Sequence, residues 1–157
     1  MCGICGVLEF SPGRLPEEAL RQAIGSMNAA MVHRGPDDSG SFVDDRCGLG
    51  MRRLSIIGVE NGRQPIFNED KSVVLVMNGE IYNYRQLRSD LERRGHAFST
   101  DSDAEVAVHL YEESGETFVD SLRGMFAIAL WDRSLKRLLL VRDRPGKKPL
   151  YWAESDG

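Results

Sequence analysis

Apolar residues recur along the chain in two rhythms, one near a helical turn and one of short unbroken runs. Residues 2–10 form an apolar run that reads as a strand. Pro16 then suits a first helical position, with Glu17 and Glu18 in the opening turn. Behind them Leu20, Ala23, Ile24, Met27, Ala30 and Met31 give one core-facing stripe. The segment His33-Arg34-Gly35-Pro36-Asp37-Asp38 stops that helix. Gly40 to Val43 and Gly48 to Ile57 read as short strands, and a loop over 58–71 leads to the buried run Val73 to Met77. Asn78-Gly79 predicts a turn that ends this strand. Tyr84, Leu87 and Leu91 mark a second helix, closed by Gly95.

Ser102-Asp103-Ala104-Glu105 fits a capping box, opening a helix that carries Val106, Ala107, Leu110 and Tyr111 inward as far as Gly115. A short helical segment over 116–122 follows. Met125 to Trp131 and Arg137 to Val141 then flank a polar loop, which predicts an antiparallel hairpin. Pro149 to Trp152 reads as one more strand, with no closing helix behind it, as in an N-terminal domain cut from a longer protein. Strands and clustered helices do not alternate strictly, so the fold class is α+β.

Composition narrows the function. The chain has 157 residues, the size of one domain, with 41% hydrophobic and 28% charged residues. A net charge of −4 disfavours nucleic acid and anionic membrane as partners. No apolar run approaches the roughly 18 residues of a membrane span, and the start carries no secretory pattern. Three cysteines without framework spacing point to a reducing, cytoplasmic setting.

Cys2 directly follows the initiator Met. Removal of Met1 would leave a thiol and a free α-amine on one residue, nucleophile and base together. The alternative is a plain strand residue. Cys2 and Cys5 also form a C-x-x-C, but residues three apart in a strand face opposite sides. Zinc would need two further ligands, with only Cys47 and three scattered histidines to supply them, so no metal is expected. Cys5 and Cys47 read as small core residues.

Further segments change this picture: His33-Arg34-Gly35-Pro36-Asp37, Arg53-Leu54-Ser55-Ile56-Ile57, Asn78-Gly79-Glu80-Ile81-Tyr82-Asn83 and Ser102-Asp103-Ala104-Glu105-Val106. With the Met-Cys-Gly start, Gly124-Met125-Phe126-Ala127 and Arg142-Asp143-Arg144, the chain resembles the class II glutamine amidotransferases. Within them it is most similar to the glutaminase domain of glutamine-hydrolysing asparagine synthetases, from Cys2 to about Trp152. The resemblance implies an N-terminal nucleophile hydrolase fold, an αββα sandwich of two mainly antiparallel sheets, truncated at its C-terminus. Residues 1–157 would be the glutaminase domain, and the ATP-dependent synthetase domain would lie outside this chain.

By the same resemblance Cys2 matches the nucleophile, which would form a γ-glutamyl thioester, and Asn78 with Gly79 matches the oxyanion hole. Arg53 matches the grip on the substrate α-carboxylate, and Glu80 and Asp103 the acceptors of its α-ammonium. Ile57 joins the substrate-binding set. Each has a plainer reading: Asn78-Gly79 as a hairpin turn, Asp103 as a first-turn carboxylate, Arg53 as a solvated strand charge. His33 is expected to be structural, and Arg34 to lie near the site. Gly58 and Pro145 depart from residues common in relatives, without touching the implied chemistry.

The implied reaction is hydrolysis of L-glutamine to glutamate and ammonia, the ammonia passing to a C-terminal synthetase domain that amidates aspartate. No cofactor is implied for this domain; ATP and magnesium would belong to the synthetase domain. A homodimer is compatible with the family. The alternatives are a different ammonia acceptor (sugar, peptide or secondary metabolite), a non-catalytic glutamine-binding fragment with Cys2 blocked, or a redox or zinc protein built on Cys2 and Cys5.

Overall fold

The structure is a computed structural model that describes residues 2–11, 15–54 and 61–155. In chain order the elements are β1 (Gly3–Leu8), α1 (Glu17–Ala30), β2 (Asp38–Val43), β3 (Cys47–Arg53), β4 (Ile66–Phe67) and β5 (Val73–Ile81). Helices α2 (Tyr84–Arg93) and α3 (Glu105–Ser114) follow, then a 3-10 segment Gly115–Ser121 and strands β6 (Gly124–Asp132) and β7 (Arg137–Arg142). One sheet has the order β1-β3-β2 and the other β4-β5-β6-β7, and every pairing is antiparallel.

The two-residue period of β5 makes it the floor of two cores. Val74 and Val76 face the first sheet, against Leu49 and Met51 of β3 and Ala129 and Trp131 of β6. Leu75 and Met77 point the other way, into a cluster with Val106 and Leu110 of α3 and with Phe118. Full burial of each such side chain is worth about 1.5–3 kcal/mol. Helix α1 packs on β1 and β3, and α3 on β4 and β5, so the layers run α, β, β, α. The indole N–H of Trp131 reaches across the sandwich and donates to Asp44 Oδ2 at 2.7 Å. Among the described residues no helix is long and apolar enough to cross a membrane.

Several local expectations give way to tertiary structure. Asn78-Gly79 is not a turn: β5 continues through it to Ile81, because β6 pairs residue for residue from Asp132 down to Gly124. The capping box does not close. Ser102 Oγ accepts from the Ala104 N–H at 3.2 Å, while Glu105 turns away to accept from the N–H and hydroxyl groups of Ser99 and Thr100. The stripe of α1 closes on buried Asn28 rather than Ala30, with Asn28 Nδ2 donating to the Gly40 carbonyl at 3.0 Å. Pro149 to Trp152 forms no strand, and Tyr151 and Trp152 are exposed. The histidines are not all scattered, since the rings of His96 and His109 lie 4.9 Å apart. Cys47 is buried as expected, whereas Cys5 is half-buried and faces Asn28 Oδ1 at 3.7 Å.

Candidate active site

A cavity of about 380 Å³ opens between the sheets where β1 begins and β3 and β5 end. Its wall includes Cys2, Arg53, Asn78, Gly79, Glu80 and Asp103, which the sequence offers from four separate segments. Ile57 lies outside the described residues, as do Ser55, Ile56 and Gly58.

Cys2 is half-buried just before β1. Its Sγ receives the Leu54 N–H at 3.4 Å and faces the Leu54 carbonyl at 3.6 Å, so the residue after β3 holds the sulfur in place. The Arg34 guanidinium donates to the Cys2 carbonyl at 3.4 Å, which puts Arg34 beside the site as expected; His33 is exposed. The turn carrying Arg34 presses closely on β3. A Cβ on Gly35 would stand 2.4 Å from the Arg52 carbonyl carbon, so only glycine fits. Arg52 Nε donates to the Gly35 carbonyl at 2.8 Å, and Asp37 N–H to the Arg53 carbonyl at 3.1 Å. These contacts fix the end of β3, where Arg53 is buried in the cavity wall.

The opposite wall is the unfinished edge of β5. Phe126 directs both of its backbone groups toward β7, its N–H to Asp143 Oδ2 at 3.2 Å and its carbonyl to the Asp143 N–H at 2.9 Å. Gly79, paired with Phe126, therefore occupies a non-hydrogen-bonded position and turns its own peptide groups to the far side of β5. On that side β4 pairs only with Val74 and Leu75. Side chains take over beyond it. Gln64 Oε1 accepts the Met77 N–H at 2.6 Å and Gln64 Nε2 donates to the Met77 carbonyl at 3.3 Å, while Asp103 Oδ2 accepts the Ile81 N–H at 2.7 Å. Between them the Gly79 N–H has no acceptor among the described residues. A Cβ on Gly79 would lie 2.1 Å from the Met125 carbonyl oxygen, so the strands can meet only at glycine. Asn78 and Glu80 follow Val74 and Val76 on the face turned to the first sheet, the face against which Cys2 packs.

Charge is arranged at both ends of the cavity. Burial pushes the Asp103 carboxyl above the ordinary aspartate value; the Ile81 N–H pulls it back and the neighbouring Glu80 charge adds to the rise. A carboxylate in that state favours a cationic partner. In the loop that carries Lys147 and Lys148, burial would likewise raise Asp143, but the N–H groups of Lys148, Lys147 and Phe126 outweigh it and hold the carboxyl below the usual range. Asp143 thereby folds the 143–148 loop so that Lys147 and Lys148 line the site. From the sequence, Arg142-Asp143-Arg144 and Gly124-Met125-Phe126-Ala127 serve only as marks of the resemblance, and Lys147, Lys148, Met125 and Gln64 have no place in the site. Gln64 carries no chemical signature of its own, because it acts by replacing a strand backbone with a side-chain amide.

The profile of the glutamine amidotransferase domain matches residues 1–157. The chain is 47% identical over 154 residues to asparagine synthetase [glutamine-hydrolyzing] 2 of Bacillus subtilis, covering 98% of this chain and 20% of that protein. It is 47% identical over 151 residues to asparagine synthetase [glutamine-hydrolyzing] 2 of rice, Oryza sativa subsp. japonica, covering 96% of this chain and 25% of that one. It therefore spans between a fifth and a quarter of the length of these relatives. In fold it is similar to the glutamine phosphoribosylpyrophosphate amidotransferase of B. subtilis, with a TM-score of 0.64 at 23% identity over 92% of this chain and 37% of that one. With a match from its first residue to its last, the chain belongs to the glutamine amidotransferase domain family.

Proposed function

We propose that this chain is the glutaminase domain of an asparagine synthetase-type enzyme, hydrolysing L-glutamine to glutamate and ammonia through Cys2. The observation that carries the reading is the convergence of Cys2, the unaccepted Gly79 N–H, Arg53 and Asp103 on one cavity. Glutamine matches that layout. Its α-carboxylate suits the planar donor fork of Arg53, its α-ammonium suits Asp103 and Glu80, and its carboxamide is left to reach Cys2.

Once Met1 is removed, the Cys2 α-amine takes the thiol proton and the thiolate attacks the carboxamide carbon. The developing oxyanion is received by the Gly79 N–H and the Asn78 side-chain amide. Donors of this kind are worth about 2.7–4 kcal/mol each. As the carbon–nitrogen bond breaks, the α-ammonium returns its proton to the leaving nitrogen and ammonia departs. Water then adds to the γ-glutamyl thioester, releasing glutamate and restoring the thiol. No step uses a metal or cofactor. ATP and magnesium, together with the aspartate that accepts ammonia, belong in this reading to a synthetase domain in the remainder of a longer cytoplasmic protein. Choice of acceptor rests with that domain, so a sugar or peptide acceptor would leave the chemistry at Cys2 unchanged.

The test is ammonia release from glutamine by the Met1-free chain and by Cys2→Ala, with intact mass monitored for a γ-glutamyl adduct. We expect turnover and a trappable adduct in the wild type, and neither in Cys2→Ala. Turnover undiminished in Cys2→Ala would refute the mechanism.

A further inference from the structure

Outside the cavity, four side chains from three segments meet at one point. They are Glu69 from the turn after β4, His96 from the loop after α2, and His109 and Glu112, one helical turn apart on α3. One ligand-capable atom from each lies within 4.8 Å of all the others. The imidazole Nδ1 atoms face the carboxylates. His109 Nδ1 is 3.0 Å from Glu112 and 3.5 Å from Glu69, and His96 Nδ1 is 3.6 Å from Glu112 and 3.8 Å from Glu69. A tetrahedral site with metal–ligand bonds of about 2.0–2.1 Å has edges of about 3.3–3.4 Å. Both edges to Glu112 run to its Oε2, whereas those to Glu69 run to different oxygens, Oε2 from His109 and Oε1 from His96, so the cluster is near that size without yet being one tetrahedron.

A second, independent feature lies behind the rings. His96 Nε2 is 3.0 Å from Glu113 Oε1. His109 is 1% exposed, and its Nε2 is buried with no hydrogen-bond partner, 3.8 Å from Glu105 Oε1. His96 thus turns one nitrogen inward and the other onto a carboxylate, the arrangement that fixes ring orientation and tautomer in ligating histidines, while His109 Nδ1 faces the cluster and its buried Nε2 points at Glu105 beyond hydrogen-bond distance. The first carboxylates are held too. The Ala97 N–H donates to Glu69 Oε1 at 2.9 Å, and Asn68 Nδ2 donates to Glu112 Oε1 at 2.8 Å. Four carboxylates, those of Glu69, Glu105, Glu112 and Glu113, thus surround two imidazoles, and among them Glu113 also pairs with Arg94.

We propose that Glu69, His96, His109 and Glu112 bind one divalent transition-metal ion of the zinc class. The ion clamps the turn after β4 and the loop after α2 onto α3. Two imidazoles and two carboxylates without a thiolate suit zinc, cobalt or nickel rather than copper(I). Four protein ligands make a closed, structural site.

The test titrates cobalt(II), then zinc(II), into the metal-free chain. We expect one equivalent of cobalt to give the visible absorption of a four-coordinate site, and zinc to displace it and raise the melting temperature. His96→Ala should weaken zinc binding at least about 100-fold and Glu113→Gln about tenfold, as the loss of a ligand and of an orienting partner respectively. Glu69→Gln, on a more exposed side chain, gives the same reading should His96→Ala fail to fold. Cys2→Ala should bind as the wild type does. No stoichiometric binding, binding that survives unweakened in His96→Ala or Glu69→Gln, or binding lost in Cys2→Ala, would overturn the proposal.

Discussion

Two polar clusters flank α3, and they are wired in opposite ways. At its N-terminal approach, Asp103 and the edge of β5 direct donors and charges at open space, where Gly79 N–H meets no acceptor among the described residues. On its outer side, Glu69, His96, His109 and Glu112 direct theirs at one another. The first cluster is built from backbone left unpaired where β4 stops, the second from side chains converging from three segments. Both share Glu105: its carboxylate carries the Ser99–Thr100 loop that leads to Asp103, and it stands 3.8 Å from His109. The cavity leaves the Gly79 N–H without an acceptor among the described residues, while Asp103 already holds the Ile81 N–H. The second cluster pairs its inward atoms with one another and leaves His109 Nε2 buried without a hydrogen-bond partner.

That contrast can be broken most severely at Gly79. Gly79→Ala would force a Cβ to within 2.1 Å of the Met125 carbonyl, so β5 and β6 must part. We expect a loss of about 3 kcal/mol or more in urea unfolding, together with loss of ammonia release. Asn78→Ala separates the two effects, because it removes a donor without moving strands. Its kcat should fall about 10²- to 10³-fold with the urea midpoint little changed; an unchanged kcat would remove Asn78 from the oxyanion site.

Asp103→Asn gives the smallest and most discriminating effect. The variant keeps an oxygen for the Ile81 N–H but loses the charge, so KM for glutamine should rise about ten- to hundredfold, the worth of one hydrogen bond to a charged group. Burial raises the folded-state pKa of Asp103 above its unfolded value. Its ionisation therefore opposes folding increasingly as pH rises through that window. Asp103→Asn should consequently melt no lower than the wild type at pH 7 without glutamine. Wild-type glutamine affinity should weaken on acidification from above the ordinary aspartate pKa, and the variant should lack that limb. A lower melting temperature in the variant would count against this balance.

The sequence made the site more legible than the strands that carry it. Cys2, Arg53, Asn78, Gly79, Glu80 and Asp103 sit in segments whose wording can be read in order, and all line one cavity. The local reading failed where a distant partner decides. Asn-Gly has strong turn chemistry, yet pairing with β6, some fifty residues on, keeps Asn78-Gly79 extended. Ser102 and Glu105 have capping spacing, but Ser99 and Thr100 take the carboxylate first. Gln64 was invisible because any amide could look like it. Only the His109–Glu112 spacing hinted at the outer cluster, since Glu69 and His96 join it through tertiary packing.

The link from Trp131 to Asp44 also gives this protein an optical signature. One indole is fully buried and hydrogen-bonded between the sheets, and the other, Trp152, is 75% exposed near the chain's end. Their emission should differ in wavelength and in access to a soluble quencher. Parting of the two sheets can therefore be watched as a red shift of the protected component, with Trp152 serving as the internal, already solvated reference.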